Sequence, residues 1–340
     1  MPCVAVSAGR IVIVGAGIVG LKIADLLTLD GVTDRFDVEV RYDGPLLASA
    51  SMVAGGLVEP AASGDERVLG SWFRQSLCAW KEEVRTRAGW GVQPVTVRHL
   101  GAAAASPPPW AEHAPDLRPL TPAEVPAAYA GTTGFAWSSF VVQPNRYLPR
   151  LAHRLKREGV VLRRCPVPSL DELPDADLVV NAAGAWSGAL AGDPTVHAVR
   201  GDVAVLPEVQ GVTGAVIDES EWLYVVAHQG RTIVGGTSID LGADPAAWVT
   251  SPPADRLAAV IERAAILEPR IAGGVPDAVH TGLRPLRPTL RTEVEQRGTT
   301  PVVHAYGTGG SGWTIAPALA RWAVDAVKAR LGVPPHDWVA

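Results

Sequence analysis

The sequence is poor in cysteine, in surplus charge and in long apolar runs, and each shortage excludes a class of protein. Three cysteines in 340 residues, Cys3, Cys78 and Cys165, are too few and too scattered for a disulfide framework or a Cys-x-x-Cys metal site. The net charge of −5 offers no basic surface for nucleic acid. The longest apolar run, residues 11–21, contains three glycines and is too short to span a bilayer. We therefore expect a cytoplasmic protein with no metal, nucleic-acid or membrane partner.

The chain length allows two domains, or one domain with a large insertion. Apolar residues make up 47% of the sequence and charged residues 19%, so there is enough apolar material for a sizeable core. Composition indicates an ordinary globular protein and leaves its function open.

The clearest local signal is an apolar strand that runs into a glycine-rich loop. Residues 10–14 are rich in β-branched side chains, which favours a strand buried on both faces of a parallel sheet. Gly15, Gly17 and Gly20 follow with the G-x-G-x-x-G spacing, which permits a tight turn, a close approach to a pyrophosphate and close helix packing. Residues 21–29 supply the helix, whose N-terminus favours a phosphate. The pattern predicts a dinucleotide site.

An acidic residue after the second predicted strand supports this interpretation. The strand covers residues 36–42, and Asp43 lies 23 residues beyond Gly20. At about this distance a carboxylate can accept hydrogen bonds from the ribose of an adenosine. Asp43 could instead only open a turn with Gly44 and Pro45.

The next third of the chain mixes helices, strands and a long connection. Residues 72–87 have the apolar spacing of an amphipathic helix, whereas the Ala- and Pro-rich residues 101–129 are expected to be a surface connection. A strand at residues 140–144 leads to a helix over residues 146–157, with Asn145 as a candidate N-cap.

Residues 177–187 repeat the pattern of a strand followed by small residues, which places a second backbone turn near the first. From residue 203 to residue 236 the pattern changes to short strands, with Gln229-Gly230 as a hairpin turn. We expect this antiparallel region to be a separate domain.

The last block combines an arginine pair with a second glycine loop. Residues 282–288 place Arg284 and Arg287 between prolines. A strand at residues 302–304, a glycine loop at residues 307–312 and a helix over residues 313–328 then make another anion site.

Together these blocks resemble the D-amino-acid oxidase family of FAD enzymes over nearly the full length. The motifs that carry the resemblance are the Gly15 loop, Val53-Ala54-Gly55-Gly56-Leu57, residues 179–186, residues 282–288 and residues 306–314. The resemblance implies an α/β fold with a FAD-binding Rossmann-like domain interleaved with a substrate domain built on an antiparallel sheet. The first domain would comprise residues 1–60, 141–195 and 280–340, and the second residues 61–140 and 196–279.

The resemblance also assigns site residues. Arg284 would clamp the substrate carboxylate with Tyr224, which precedes Gly235-Gly236 by eleven residues. Arg287 fits better as a structural arginine bonded to backbone carbonyls, and His228, His280 and His304 are expected to be structural or at the surface. The pocket would include Leu57, Glu59, Val226 and Gly312. Noncovalent FAD would contact Gly15, Gly17, Ile18, Gly20, Asp43, Ser51, Gly55, Gly56, Leu57, Val167, Ala183, Gly184, Trp186, Arg284, Gly309, Gly310, Gly312, Trp313 and Thr314.

The implied reaction is oxidative deamination of a D-amino acid to a 2-oxo acid, ammonia and hydrogen peroxide, with hydride transfer to flavin N5 and oxygen as the acceptor. Glu59 stands where the family often has a neutral amide, and an anion facing the pocket would favour a substrate with a second amine or a large polar body over an acidic one. A glycine or N-methyl amino acid oxidase with noncovalent FAD is the main alternative. A nicotinamide-dependent dehydrogenase and a non-catalytic flavoprotein are further alternatives, and an oligomer is compatible with each.

Overall fold

The structure is a computed structural model, and it describes residues 8–46, 49–61, 65–173, 175–248 and 254–334. Cys3 therefore lies outside the described residues. Among the residues described, no helix is both long and apolar enough to cross a membrane.

Fourteen strands of the described chain form one continuous sheet. They are β1 Arg10–Val14, β2 Asp37–Tyr42, β3 Val92–His99, β4 Arg118–Pro119, β5 Phe135–Val142, β6 Val161–Arg164, β7 Leu178–Asn181, β8 His197–Pro207, β9 Ala215–Asp218, β10 Leu223–His228, β11 Arg231–Gly235, β12 Ile239–Asp240, β13 Ala278–Arg297 and β14 Thr300–Thr308. The strand order is β4-β5-β3-β9-β10-β11-β8-β13-β14-β7-β1-β2-β6, and β12 pairs with β8.

The described part of the chain contains eight α-helices. They are α1 Ile18–Leu29, α2 Ala50–Val53, α3 Glu66–Leu69, α4 Ser71–Thr86, α5 Pro144–Arg157, α6 Ser187–Ala191, α7 Ala254–Leu267 and α8 Gly312–Leu331. Helix α4 confirms the expected amphipathic helix, and α1 begins three residues earlier than predicted. Helix α5 begins at Pro144 after Gln143, so the prediction of Asn145 as the N-cap is wrong. Proline is favoured in a first helical turn because no hydrogen bond from its nitrogen is needed there.

The sheet has a parallel half and a mainly antiparallel half. Strands β14, β7, β1, β2 and β6 are parallel, and the whole of β7 is buried, as expected where helices cover both faces. Strands β10, β11, β8 and β13 are antiparallel, with the predicted hairpin between β10 and β11. Strand β13 pairs with β8 through its first part and with β14 through its second part, so it joins the halves. The predicted domain boundaries stay a prediction.

Aromatic side chains anchor the helices behind the cavity. The rings of Trp80, Tyr147 and Trp313 come from α4, α5 and α8, and their centroids lie 5.6 to 6.1 Å apart. Trp80 Nε1 also donates a hydrogen bond to the Trp313 carbonyl oxygen, at 3.1 Å. Because buried aromatic contacts of this kind add to the energy of apolar burial, they fix the start of α8.

The expectation that residues 101–129 form only a surface connection is wrong in part. Trp110 is buried, and its ring lies 5.8 Å from Phe73 and 5.1 Å from Trp137 between ring centroids. Short 3-10 helices carry this segment, so the helix and strand periods give no sign of its buried aromatic side chain.

Candidate active site

Two glycines at the turn from β1 to α1 have no space for a side chain. Gly15 has φ of 113°, and a Cβ there would collide with the Ala182 carbonyl oxygen. A Cβ on Gly20 would collide with the Gly15 carbonyl oxygen, so α1 can lie against the strand only if both residues are glycine. Gly20 supports the turn from behind and does not line the cavity.

The N-terminus of α1 faces the cavity. Gly17 precedes its first turn, which contains no acidic side chain. The Ile18 N–H donates a hydrogen bond to Ser51 Oγ at 3.0 Å. Trp313 Nε1 donates to the Ser51 carbonyl oxygen at 3.0 Å, so Ser51 joins the beginnings of α1 and α8. The first residues of both helices therefore line one cavity, and the positive end of a helix dipole suits an anionic group.

Asp43 lies at the outer end of this region. It is exposed, and its Oδ1 accepts a hydrogen bond from the Gly44 N–H at 2.7 Å, as in the predicted turn. Asp43 also lines the cavity together with Val167, which follows the neighbouring strand β6. The turn role of Asp43 thus leaves Oδ2 available to a ligand.

Residues 53–57, at the end of α2 and just beyond it, form a second wall of the cavity. A Cβ on Gly56, with φ of 67°, would collide with the Val142 carbonyl oxygen, and Leu57 forms a bridge with Val141. The Gly55 carbonyl oxygen accepts a hydrogen bond from His228 Nε2 at 2.8 Å. These contacts hold the wall by its backbone, which confirms a structural role for His228.

The second glycine loop closes the same cavity. The Gly309 N–H donates to the Pro285 carbonyl oxygen at 2.9 Å, which ties this loop to the arginine-containing part of β13. The Thr314 hydroxyl accepts from the Glu59 N–H at 2.9 Å and donates to the Glu59 carbonyl oxygen at 2.5 Å. Thr314 is buried and does not line the cavity, so its side chain positions Glu59, and its predicted contact with FAD stays a prediction.

Arg284 and Tyr224 meet in the antiparallel half. A Cβ on Gly201 would collide with the Arg284 guanidinium, and one on Gly235 would collide with the Tyr224 phenol ring. Arg284 Nη1 donates to the Thr237 carbonyl oxygen at 3.0 Å, which leaves the other guanidinium nitrogens for further partners. Burial raises the pKa of Tyr224, while the charge and hydrogen bond of Arg284 oppose that rise. The phenol is therefore neutral at pH 7 and can donate a proton in a hydrogen bond.

A buried carboxylate, Asp202, helps to position Arg284. Asp202 accepts hydrogen bonds from Arg200 Nε at 3.0 Å, from Thr281 Oγ1 at 2.6 Å and from Thr237 Oγ1 at 3.1 Å. Since Thr237 also binds Arg284 through its carbonyl oxygen, Asp202 holds the arginine through one intermediate residue. Arg287, three residues further along β13, instead donates to Asp193 Oδ2 at 3.0 Å and to the Thr289 carbonyl oxygen at 2.8 Å, which confirms its structural role.

Glu59 is buried and pairs with a histidine that sequence reasoning missed. Its Oε2 lies 3.0 Å from His99 Nε2, and a ligand atom of Glu219 lies within 4.8 Å of both side chains. Burial lowers the pKa of His99, but the charge and hydrogen bond of Glu59 raise it more, so the net shift is upward. Burial and the charge of Glu59 raise the pKa of Glu219. Glu59 lines the cavity as part of a cluster of two carboxyl groups and one imidazole.

One cavity of about 1900 Å³ brings together nearly all the predicted site residues. Those that line it are Gly15, Gly17, Ile18, Asp43, Ser51, Gly55, Gly56, Leu57, Glu59, Val167, Ala183, Gly184, Trp186, Tyr224, Val226, Arg284, Gly309, Gly310, Gly312 and Trp313. Gly201, Glu219 and Trp222 also line it and were missed. The only sequence signal for Glu219 was its place just before the predicted strand of Tyr224.

The family model described as FAD dependent oxidoreductase matches residues 10–326. A D-amino-acid oxidase of Rubrobacter xylanophilus is 34% identical over 333 residues, covering 95% of this chain and 97% of that one. A D-amino-acid oxidase of Streptomyces coelicolor is also 34% identical, covering 92% of this chain and 95% of that one. The structure of a glycine oxidase from Geobacillus kaustophilus aligns with a TM-score of 0.75 and 21% identity over 98% of both chains, a likeness in fold.

Proposed function

Since this chain belongs to the family of FAD-dependent oxidoreductases, we propose that it oxidises a D-amino acid to the 2-oxo acid with release of ammonia and hydrogen peroxide. The two bacterial relatives named D-amino-acid oxidase support this reaction. The observation that carries the proposal is the Arg284–Tyr224 pair in the cavity that the two glycine loops also line. A guanidinium beside a neutral phenol is a fitting receptor for a carboxylate.

The residues of the cavity fit a noncovalent FAD. Side chains are excluded at Gly15, where backbone must approach backbone, and the two helix N-termini suit a pyrophosphate and an electron-rich ring. Asp43 would receive the ribose, and Val167 would lie beside the adenine. When bound, FAD supplies the acceptor for a hydride, and molecular oxygen reoxidises it.

The protein's own contribution to catalysis would be orientation. Arg284 would bind both carboxylate oxygens of the substrate through the nitrogens that Thr237 leaves free, and the Tyr224 phenol would donate to one of the oxygens. This fixes the substrate at one end, so that its Cα is held at one distance from the flavin. If the amine enters in its neutral form, no side chain needs to act as a base.

The test is anaerobic mixing of the purified yellow protein with D-amino acids, their L-enantiomers, glycine and sarcosine. We expect loss of the flavin absorbance with D-amino acids. Reduction by glycine or sarcosine alone would assign the protein to the alternative oxidases, and no reduction by any D-amino acid would refute the proposal. We also propose a cytoplasmic location, with which the free thiols of Cys78 and Cys165 are compatible.

A further inference from the structure

We propose that the cavity selects D-amino acids with a cationic side chain, and that Glu219 and Glu59 receive the distal ammonium or guanidinium group. This inference rests on the proposed function, because it assumes that the substrate carboxylate binds Arg284 and Tyr224. It adds a second recognition point at the opposite end of the substrate.

The sheet register places the two recognition points at a suitable separation. Tyr224 of β10 pairs with Ile217 of β9, which pairs with His99 of β3. Register partners project to the same face, and two strand spacings put the Cα atoms of Tyr224 and His99 about 9.6 Å apart. The ligand atoms of Glu59 and Glu219 lie within 4.8 Å of that of His99, and both residues line the same cavity as Tyr224.

This separation matches a long side chain. The carboxylate carbon and the terminal nitrogen of an extended lysine are about 7.5 Å apart, from six bonds of ordinary length. A substrate anchored at Arg284 would therefore bring a terminal ammonium near Glu219, whereas the side chain of alanine or valine would end well before it.

Acidic groups outnumber the basic group at the far end. The cluster holds two carboxyl groups, Glu59 and Glu219, and one imidazole, His99, which lies 3.0 Å from Glu59. Within the described part of the chain the Glu219 carboxylate has no hydrogen bond or ion pair, and it lines the cavity. The neighbouring Asp218 is occupied, because it accepts from Tyr129 Oη at 2.8 Å and from Ser220 Oγ at 2.6 Å. A carboxylate that faces a cavity and has no hydrogen bond or ion pair of its own attracts a cation and repels an acidic side chain.

An aromatic ring adds to the preference. Trp222 lines the cavity, is 57% exposed, and is held at φ of 55° in the same turn as Glu219. The Trp222 N–H donates to the Glu219 carbonyl oxygen at 3.3 Å. An exposed indole beside a carboxylate is a favourable surface for a lysine or arginine head group.

The first experiment compares kcat/KM of the holoenzyme for D-lysine, D-norleucine and D-glutamate. D-Norleucine has the aliphatic chain of lysine without the ammonium, which stays charged at neutral pH. We expect D-lysine to exceed D-norleucine by about tenfold or more, and D-glutamate to be the poorest. Equal turnover of D-lysine and D-norleucine would overturn this inference and leave the proposed function intact. Failure of all D-amino acids to reduce the flavin would overturn both.

A binding experiment separates recognition from chemistry. 6-Aminohexanoate and hexanoate carry the carboxylate with and without the distal ammonium, and neither has an α-amine to be oxidised. We expect 6-aminohexanoate to perturb the flavin spectrum of the oxidised holoenzyme at lower concentration. Tighter binding of hexanoate would overturn the inference.

The variant Glu219→Gln removes the charge and keeps the size of the side chain. We expect the D-lysine to D-norleucine ratio of kcat/KM to fall about tenfold. Glu221→Gln is the matched control, because Glu221 lies two residues away, pairs with Arg263 at 2.9 Å and does not line the cavity. An unchanged ratio in Glu219→Gln, or a bound divalent metal whose removal abolishes the D-lysine preference, would overturn the inference.

Discussion

At each end of the cavity a glycine makes room for a different kind of neighbour, backbone at one end and a side chain at the other. In the parallel half Gly15 is glycine because the Ala182 carbonyl oxygen occupies the place of a side chain. In the antiparallel half Gly201 is glycine because the Arg284 guanidinium lies there. A backbone held in a sheet cannot move aside, whereas a long side chain can be displaced. We therefore expect the parallel end to control cofactor retention and the antiparallel end to control substrate affinity.

The largest effect is expected for Gly15→Ala. The added Cβ meets backbone atoms and φ of 113° is strained for alanine, so the β1–α1 turn should open. We expect a protein purified with little or no FAD, measured as the ratio of flavin to protein absorbance. Gly159→Ala is the control, because Gly159 also has positive φ but its Cβ would meet open space. Full flavin content in Gly15→Ala would refute the expectation that the parallel end controls cofactor retention.

Arg284→Ala is expected to have the next largest effect and to spare the cofactor. Loss of a charged, bidentate partner should lower kcat/KM about 1000-fold, or about 4 kcal/mol, with FAD retained. Steady-state oxygen consumption with the best D-amino acid measures this. Arg287→Ala should show the reverse pattern, a lower melting temperature with little loss of kcat/KM, because Arg287 binds Asp193 and the Thr289 carbonyl oxygen. An unchanged kcat/KM in Arg284→Ala would refute the proposal that Arg284 binds the substrate carboxylate.

Gly201→Ala tests whether the position of the Arg284 guanidinium depends on the absence of a side chain at residue 201. The new methyl group would push Arg284 away from Thr237, and a displacement of about 1 Å at a binding group can cost about 100-fold in kcat/KM. We expect the loss mainly in KM, with normal flavin content. Gly298→Ala, in the turn between β13 and β14, provides a control with open space around its Cβ. Loss of FAD from Gly201→Ala would contradict the separation of the two ends.

The same contrast explains what the sequence could predict. The requirement for glycine at Gly20 comes from the Gly15 carbonyl oxygen five residues away, and Gly15 itself has a positive φ, so the glycine spacing located the first turn and its helix. The Glu59–His99 pair joins residues 40 positions apart, and His99 ends a strand whose Pro94 weakens the strand pattern. No local pattern indicates such a pair.

The site residues of the antiparallel half were only partly predictable from the sequence. Tyr224 and Arg284 could be named through the family resemblance, and the strand around Tyr224 through its pattern. Gly201 and Asp202 gave no local signal, because their role depends on β13 lying beside β8. Register between distant strands is a tertiary property, which short windows of sequence do not contain.

The smallest predicted effect is a pH dependence of the stability that arises from His228, which binds the cavity-lining Gly55. Burial lowers the pKa of His228 to about 4, so the folded protein keeps the ring neutral while the unfolded chain binds a proton below about pH 6.5. Stability should therefore fall as the pH drops from about 6.5 to about 4, by up to about 3 kcal/mol in total.

His228→Gln isolates this contribution, because a glutamine amide can still donate to the Gly55 carbonyl oxygen but takes up no proton. Urea unfolding of both holoenzymes at about pH 7 and about pH 5 gives the two free energies of unfolding at each pH. We expect the wild-type protein to lose about 1 to 2 kcal/mol more than the variant over this range. Equal losses of free energy of unfolding would mean that His228 is already solvated in the folded protein. Its hydrogen bond to the Gly55 carbonyl oxygen would then hold that part of the cavity wall only weakly.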